Sequence, residues 1–200
     1  MNSERLINPE SSLVSYFHQA IERASEENNL PLCDHTHWYL TNLLHSYSNT
    51  DRFFDHRADG GKFTPLAEYY MLAAEADSEN ERRLYLQRLG DIAIVVSGLF
   101  APALRRKAVG IDYYMAMGEN AYGFLADSSG GSTREKVLGE IFEDLSSQFS
   151  RFVAVLSCVG SKGTTHEQLL RLIDRWQSTG EPELEKQLRA RGVMLSDTAH

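Results

Sequence analysis

Asp91 stands against the most apolar run of the chain, Ile92-Ala93-Ile94-Val95-Val96. A carboxyl so placed has two chemical uses. Drawn out of water, it holds its proton to higher pH and can serve as an acid. Alternatively it finds a cation or an amide and becomes a structural tie. Arg88, Arg105 and Arg106 are the expected partners, and the plainer use is a salt bridge that positions the loop after Gly98. Arg105, Arg106 and Lys107 together form a second candidate, a site for a phosphate, an acidic peptide or a nucleic acid. Successive helical residues point about 100° apart, so the three converge only on irregular backbone. Their competing use is pairing with carboxylates of the same fold or of a second subunit. Tyr113 and Tyr122 form the third candidate. They share a helix with Met115, Met117, Gly118 and Gly123 and could line a pocket; as core residues they would rest their hydroxyls on Glu119 or Asn120.

The histidines carry less. Asp34, His35, His37 and His45 lie near one another, with His56 further on. One helix can offer two or three ligands at most, and no second helix supplies a matching set. The chain has no H-E-x-x-H and no Glu-x-x-His pair of the di-iron kind. No metal site is expected, with His37 and His45 as the alternative, and no cofactor is expected. Ser97-Gly98 lacks the setting of a nucleophile elbow. The loop Ser128-Ser129-Gly130-Gly131 lacks the lysine of a phosphate loop. Cys33 and Cys158 are isolated thiols without metal-type spacing, which suits a reducing compartment.

Helices must position these groups, because start and stop signals recur along the whole length. Asn8-Pro9 opens a helix whose inner face is Leu13, Val14, Phe17, Ile21 and Ala24. Asp34 is the expected cap of a second helix, with Leu40, Leu43, Leu44 and Tyr47 inward. Residues 48–61 read as a loop. Thr64-Pro65 opens a third helix with Leu66, Tyr69, Tyr70 and Ala73 inward. Ser78-Glu-Asn-Glu81 is a capping box before a helix through Leu84, Leu89, Ile92, Ala93 and Val96. Asp112 is the expected cap of a helix over 113–126. Ser132-Thr-Arg-Glu135 is a second box, before a continuous apolar stripe that predicts one long helix over about 133–159. Thr164-Thr-His-Glu167 is a third, and a last short helix follows Pro182. The expected fold is therefore all-α, a single-domain bundle of seven or eight helices packed around the long 133–159 helix. The domain spans 1–195, and residues 196–200 form a disordered tail.

Composition narrows the class. The 200 residues are 42% hydrophobic and 24% charged, enough for one core. Net charge is −8, and residues 1–100 hold 15 acids against 8 bases, so the acidic surplus lies in the first half. Nucleic acid is not an expected partner, since phosphate binding needs a clustered positive field. No apolar run approaches the roughly 20 residues of a membrane span, and the N-terminus has no secretory h-region. The expected setting is cytoplasmic, without membrane contact.

Two segments, LGDIAIVVSGLFAPALRRKAVGIDYYMAMGENAY and DRWQSTGEPELEKQLRARGV, resemble an uncharacterised bacterial all-helical family. The resemblance implies a bacterial helical protein and carries over no functional residue. With no convergent catalytic set, the expected function is a regulatory or adaptor protein acting through protein contacts, with a protein partner or as a homodimer. The alternative is a helical protein that binds a small molecule, metal or cofactor, with enzymatic activity left open. Its site would lie between the 35–47, 79–97 and 113–126 helices.

Overall fold

A computed structural model describes residues 9–48, 65–101 and 110–162. Within them the protein is all-α, with seven helices and no strand among the described residues. They are α1 (Pro9–Glu27), α2 (Asp34–Ser48), α3 (Leu66–Glu75), α4 (Glu79–Leu99), α5 (Ile111–Asp127), α6 (Thr133–Ser147) and α7 (Phe149–Lys162). All but the first residue of the loop expected over 48–61, the basic connector, and the two helices and tail expected beyond residue 162 lie outside the described residues.

The packing centre is α4, not the 133–159 segment. Every residue from Ile92 to Gly98 is buried. A helix apolar on all sides has to be surrounded, and α3, α5 and α7 pack against this one. Two of the covering helices approach closely because small residues leave room. A Cβ on Gly118 of α5 would stand 2.4 Å from the Phe149 ring and 2.8 Å from Ala93 Cβ.

The expected long helix is two helices. Ser146 and Ser147 both donate their hydroxyls to the Glu143 carbonyl, at 3.1 and 2.7 Å. Such back-bonding competes with the helical ladder and bends it. Gln148 leaves helical geometry (φ −122°, ψ 26°), and its carbonyl accepts the amides of Arg151 and Phe152 to start α7. The apolar stripe is real on both sides of the break: Ile141, Phe142 and Leu145 on α6, then Phe149, Phe152, Val153 and Leu156 on α7, are all buried.

Capping follows the expected residues in part. Ser132 and Glu135 form the complete reciprocal box. Ser78 accepts the Glu81 amide, while Glu81 Oε1 accepts from the Tyr85 hydroxyl. Asp34 does not cap α2 but occupies its first turn. Cys33 takes the cap position, its carbonyl accepting the His37 amide and its sulfur the Thr36 amide at 3.4 Å. Asp112 likewise sits inside the first turn of α5, behind Gly110, because the helix starts earlier than its acid suggests. Asn29, at φ 50°, closes α1 in the left-handed conformation, and the Leu30 amide returns to the Ser25 carbonyl.

Two residues expected to face inward do not. Leu66, Tyr69 and Ala73 define the buried stripe of α3, and Tyr70, one position round the helix, is 58% exposed. Leu84 lies in the first turns of α4, ahead of its buried half, and is 64% exposed.

Candidate functional site

Asp91 is where three helices meet. Its Oδ1 accepts a hydrogen bond from the Tyr39 hydroxyl of α2 at 2.6 Å and from the Tyr122 hydroxyl of α5 at 2.8 Å. Gln87, one turn earlier on α4, donates its amide to the Tyr39 oxygen at 3.2 Å. The Tyr39 hydroxyl is thus both donor and acceptor. Placement of Tyr122 depends on the neighbour of Asp91: a Cβ on Gly90 would stand 2.7 Å from the Tyr122 ring, so only glycine lets the ring lie across α4. Phe142 of α6 holds both tyrosines, stacked on Tyr122 at 5.5 Å and edge-on to Tyr39 at 5.8 Å.

The electrostatics follow from enclosure. Loss of water pushes the Asp91 carboxyl up to about 6, against the pull of the two tyrosine hydroxyls and of the Arg88 charge. Burial, with the Asp91 charge second, holds the Tyr39 and Tyr122 hydroxyls well above their ordinary value. The Asp91 carboxyl is thus bound by two hydroxyls, with the Arg88 charge favouring its ionised form. Arg88 lies over the Tyr47 ring, 5.5 Å from its centroid. Arg105 and Arg106 lie outside the described residues. Such a centre can store a proton near neutrality and ties α2, α4 and α5 together. Neither of the two cavities described below is lined by Asp91, Tyr39 or Tyr122.

The other expected residues are dispersed. Tyr113 starts α5, is partly exposed, and packs edge-on to Tyr114 at 5.7 Å, away from the Asp91 centre. Tyr122 meets Asp91 rather than Glu119 or Asn120. His37 stacks on His18 of α1 with centroids 4.0 Å apart, and its Nε2 pairs with the His18 carbonyl at 3.0 Å. Trp38 covers the same histidine at 4.5 Å, and His18 Nδ1 is buried without a hydrogen-bond partner. His45 lies two turns further along α2, half-buried. Among the described residues no three His, Cys, Asp or Glu side chains gather as a metal site. No helix there is long and apolar enough to cross a membrane.

Three groupings had no separate signal in the sequence. Tyr39, next to Leu40 on α2, carries no mark in the sequence of being a partner of Asp91. Thr36, fully buried, donates to Asp144 Oδ2 of α6 at 2.9 Å, with the Cys33 sulfur 3.0 Å from its hydroxyl. Cys158 accepts the Asn28 amide at 3.4 Å beside a cavity of about 200 Å³ between α1 and α7. A second and larger cavity, about 460 Å³, opens between α5 and α6.

No protein-family model, curated protein or solved structure matches the chain.

Proposed function

We propose that this is a regulatory or adaptor protein that works by binding another protein, and that it does so through the tip of the α3–α4 hairpin. The observation that carries this reading is the exposure of three large apolar side chains on an acidic hairpin. Tyr70 and Met71 are each 58% exposed and Leu84 is 64% exposed. Exposed large apolar side chains on one hairpin offer a partner's apolar face a place to dock. The same hairpin carries Glu68, Glu75, Asp77, Glu79 and Glu81. The two cations nearest these acids, Arg82 and Arg83, are already engaged. Arg82 donates to the Ala73 carbonyl at 3.2 Å and pairs with Glu79 at 3.7 Å. Arg83 reaches the loop after α5, donating to the Ser128 carbonyl and hydroxyl at 2.8 and 2.6 Å. Glu68, Glu75 and Asp77 face solvent, so the complementary partner is a basic amphipathic helix that sets its apolar face on Tyr70, Met71 and Leu84.

The test uses a synthetic lysine-leucine amphipathic helix against the full chain. Binding should weaken as salt rises and should fall at least tenfold in the variant Tyr70→Ser, Met71→Ser, Leu84→Ser. All three positions are exposed, so that variant keeps its fold. Unchanged affinity in the variant sinks the reading. A wild-type dimer in sedimentation that the same variant dissociates would replace the basic partner with a second copy.

Ligand binding between α2, α4 and α5 is the second reading. The convergence of Tyr39, Asp91 and Tyr122 on one point favours it. It requires purified protein to carry a metal or an absorbing group that Asp91→Asn releases, and a colourless, metal-free product counts against it.

A further inference from the structure

Two tyrosines bind the Asp91 carboxyl, and they are anchored differently. Tyr122 is fully buried, and its ring is fixed across α4, since a Cβ on Gly90 would stand 2.7 Å from it. Its helix lies close along α4, where a Cβ on Gly118 would stand 2.8 Å from Ala93 Cβ. Tyr39 comes from a helix that packs along α1 and α6 and meets α4 through the side chains of Tyr39 and Tyr47. Tyr39, Gln87 and Asp91 each remain partly exposed. Solvent therefore lies on the α2 side of the centre, with the Tyr39 side chain in its path, and the α5 side is sealed.

Asp91 is the member of this group that changes charge near neutrality. Enclosure pushes its carboxyl up to about 6, whereas burial holds the Tyr39 and Tyr122 hydroxyls well above their ordinary value. The groups that act on Asp91 are these two hydroxyls, from α2 and α5, and the Arg88 guanidinium of α4 itself. Behind Arg88 stand Tyr47 of α2 and Tyr69 of α3. Among the described residues α6 and α7 add no titratable group to the set. His37 of α2 is stacked on His18 of α1 instead. An ionised carboxylate offers about four acceptor positions, and an enclosed one is costly until they are filled. Both tyrosine bonds fall on Oδ1. The further donors have to be water, and water enters where a side chain is able to move aside.

We propose that Tyr39 is a proton-controlled gate on the Asp91 centre. With Asp91 protonated, the Tyr39 hydroxyl closes the centre. When the proton passes to solvent, water donates to the carboxylate, Tyr39 gives up its place, and a cleft opens between α2 and α4 while Tyr122 stays bound. The gate does not rest on the α3–α4 hairpin, and either can fail alone.

Hydroxyl exchange in the full chain, read residue by residue from tyrosine carbon NMR in mixed light and heavy water, tests the gate. Base catalysis speeds exchange of both hydroxyls alike, so the ratio of the Tyr39 rate to the Tyr122 rate cancels it. That ratio should grow at least about tenfold between about pH 5 and about pH 8, with its midpoint where Asp91 ionises, at about 6. Asp91→Asn keeps an acceptor for both hydroxyls and has no proton to lose, so its ratio should stay constant. An unchanging ratio in wild type overturns the gate. So does a falling ratio, which places the opening at Tyr122. Both outcomes are read on wild type alone and decide the matter even if Asp91→Asn does not fold. A rise that Asp91→Asn retains also overturns the proposal, since it assigns the response to the histidines of α1 and α2.

Discussion

Replacing Asp91 by asparagine should stabilise the protein at neutral pH, although it removes a charge from a hydrogen-bonded centre. The reason lies in the direction of the carboxyl's shift. Its value rises from an ordinary 3.8 to about 6 because enclosure disfavours the ionised form more than the two hydroxyls favour it. A folded-state value above the unfolded one means that the stability contributed by this group is complete below about pH 4. It declines as pH rises toward about 6 and is lost above that. The difference amounts to about 3 kcal/mol at about 1.4 kcal/mol per pH unit. Asparagine reproduces the neutral carboxyl: its carbonyl can accept from Tyr39 and Tyr122 as Oδ1 does now. Urea denaturation at pH 7 should show Asp91→Asn more stable than wild type by about 1–3 kcal/mol, with the gap closing by pH 4. Alanine is the control. It leaves two enclosed hydroxyls without their acceptor, at about 1–3 kcal/mol each, and should destabilise at every pH. If Asp91→Asn lowers stability at pH 7 by as much as alanine does, the carboxylate is held by a cation, and the hydroxyl-bound account of this centre is wrong.

Tyr39→Phe removes one of the two hydroxyls that hold Asp91 down, so the Asp91 carboxyl should titrate above its wild-type value, as carbon NMR of that side chain can follow. The same change should cost about 1 kcal/mol. The glycines of α5 should respond with opposite signs. Gly118→Ala forces a methyl to within 2.4 Å of Phe149 and should cost about 1–3 kcal/mol, whereas Gly123→Ala meets nothing closer than 3.9 Å and should gain about 0.5–1 kcal/mol. Thermal or urea unfolding of both, measured together, reads the difference. Ser132→Ala deletes the oxygen that accepts the Glu135 amide and should lower stability by about 1 kcal/mol. It should also let Glu135 titrate closer to its ordinary value, since hydrogen bonds from Ser132 hold that carboxyl down.

Local patterns alone were sufficient for the helical class and most of the inward faces. A period of 3.6 is local information, so Phe17, Ile21, Leu40, Leu44, Leu89 and Leu145 could be assigned to the core without knowing what they touch. The serine caps at 78 and 132 were legible for the same reason, because a cap closes within three residues. Asp91 was legible as an anomaly, an acid on the edge of an apolar run. Its chemistry was not legible, because the groups that decide it lie 52 residues before and 31 residues after it. Only packing brings Tyr39 and Tyr122 to one oxygen and leaves Arg88 on Tyr47. Tertiary structure also decided that α4 is the centre. The apolar stripe from Val137 to Leu156 favoured a longer helix there, but the backbone leaves helical geometry at Gln148 and divides it. The glycines make the point most directly. Gly118 and Gly123 read alike in the sequence, five residues apart in one helix. What stands opposite each of them, a phenyl ring pressed close in one case and a serine Cβ at ordinary contact distance in the other, makes Gly118 a packing requirement and leaves Gly123 replaceable by alanine.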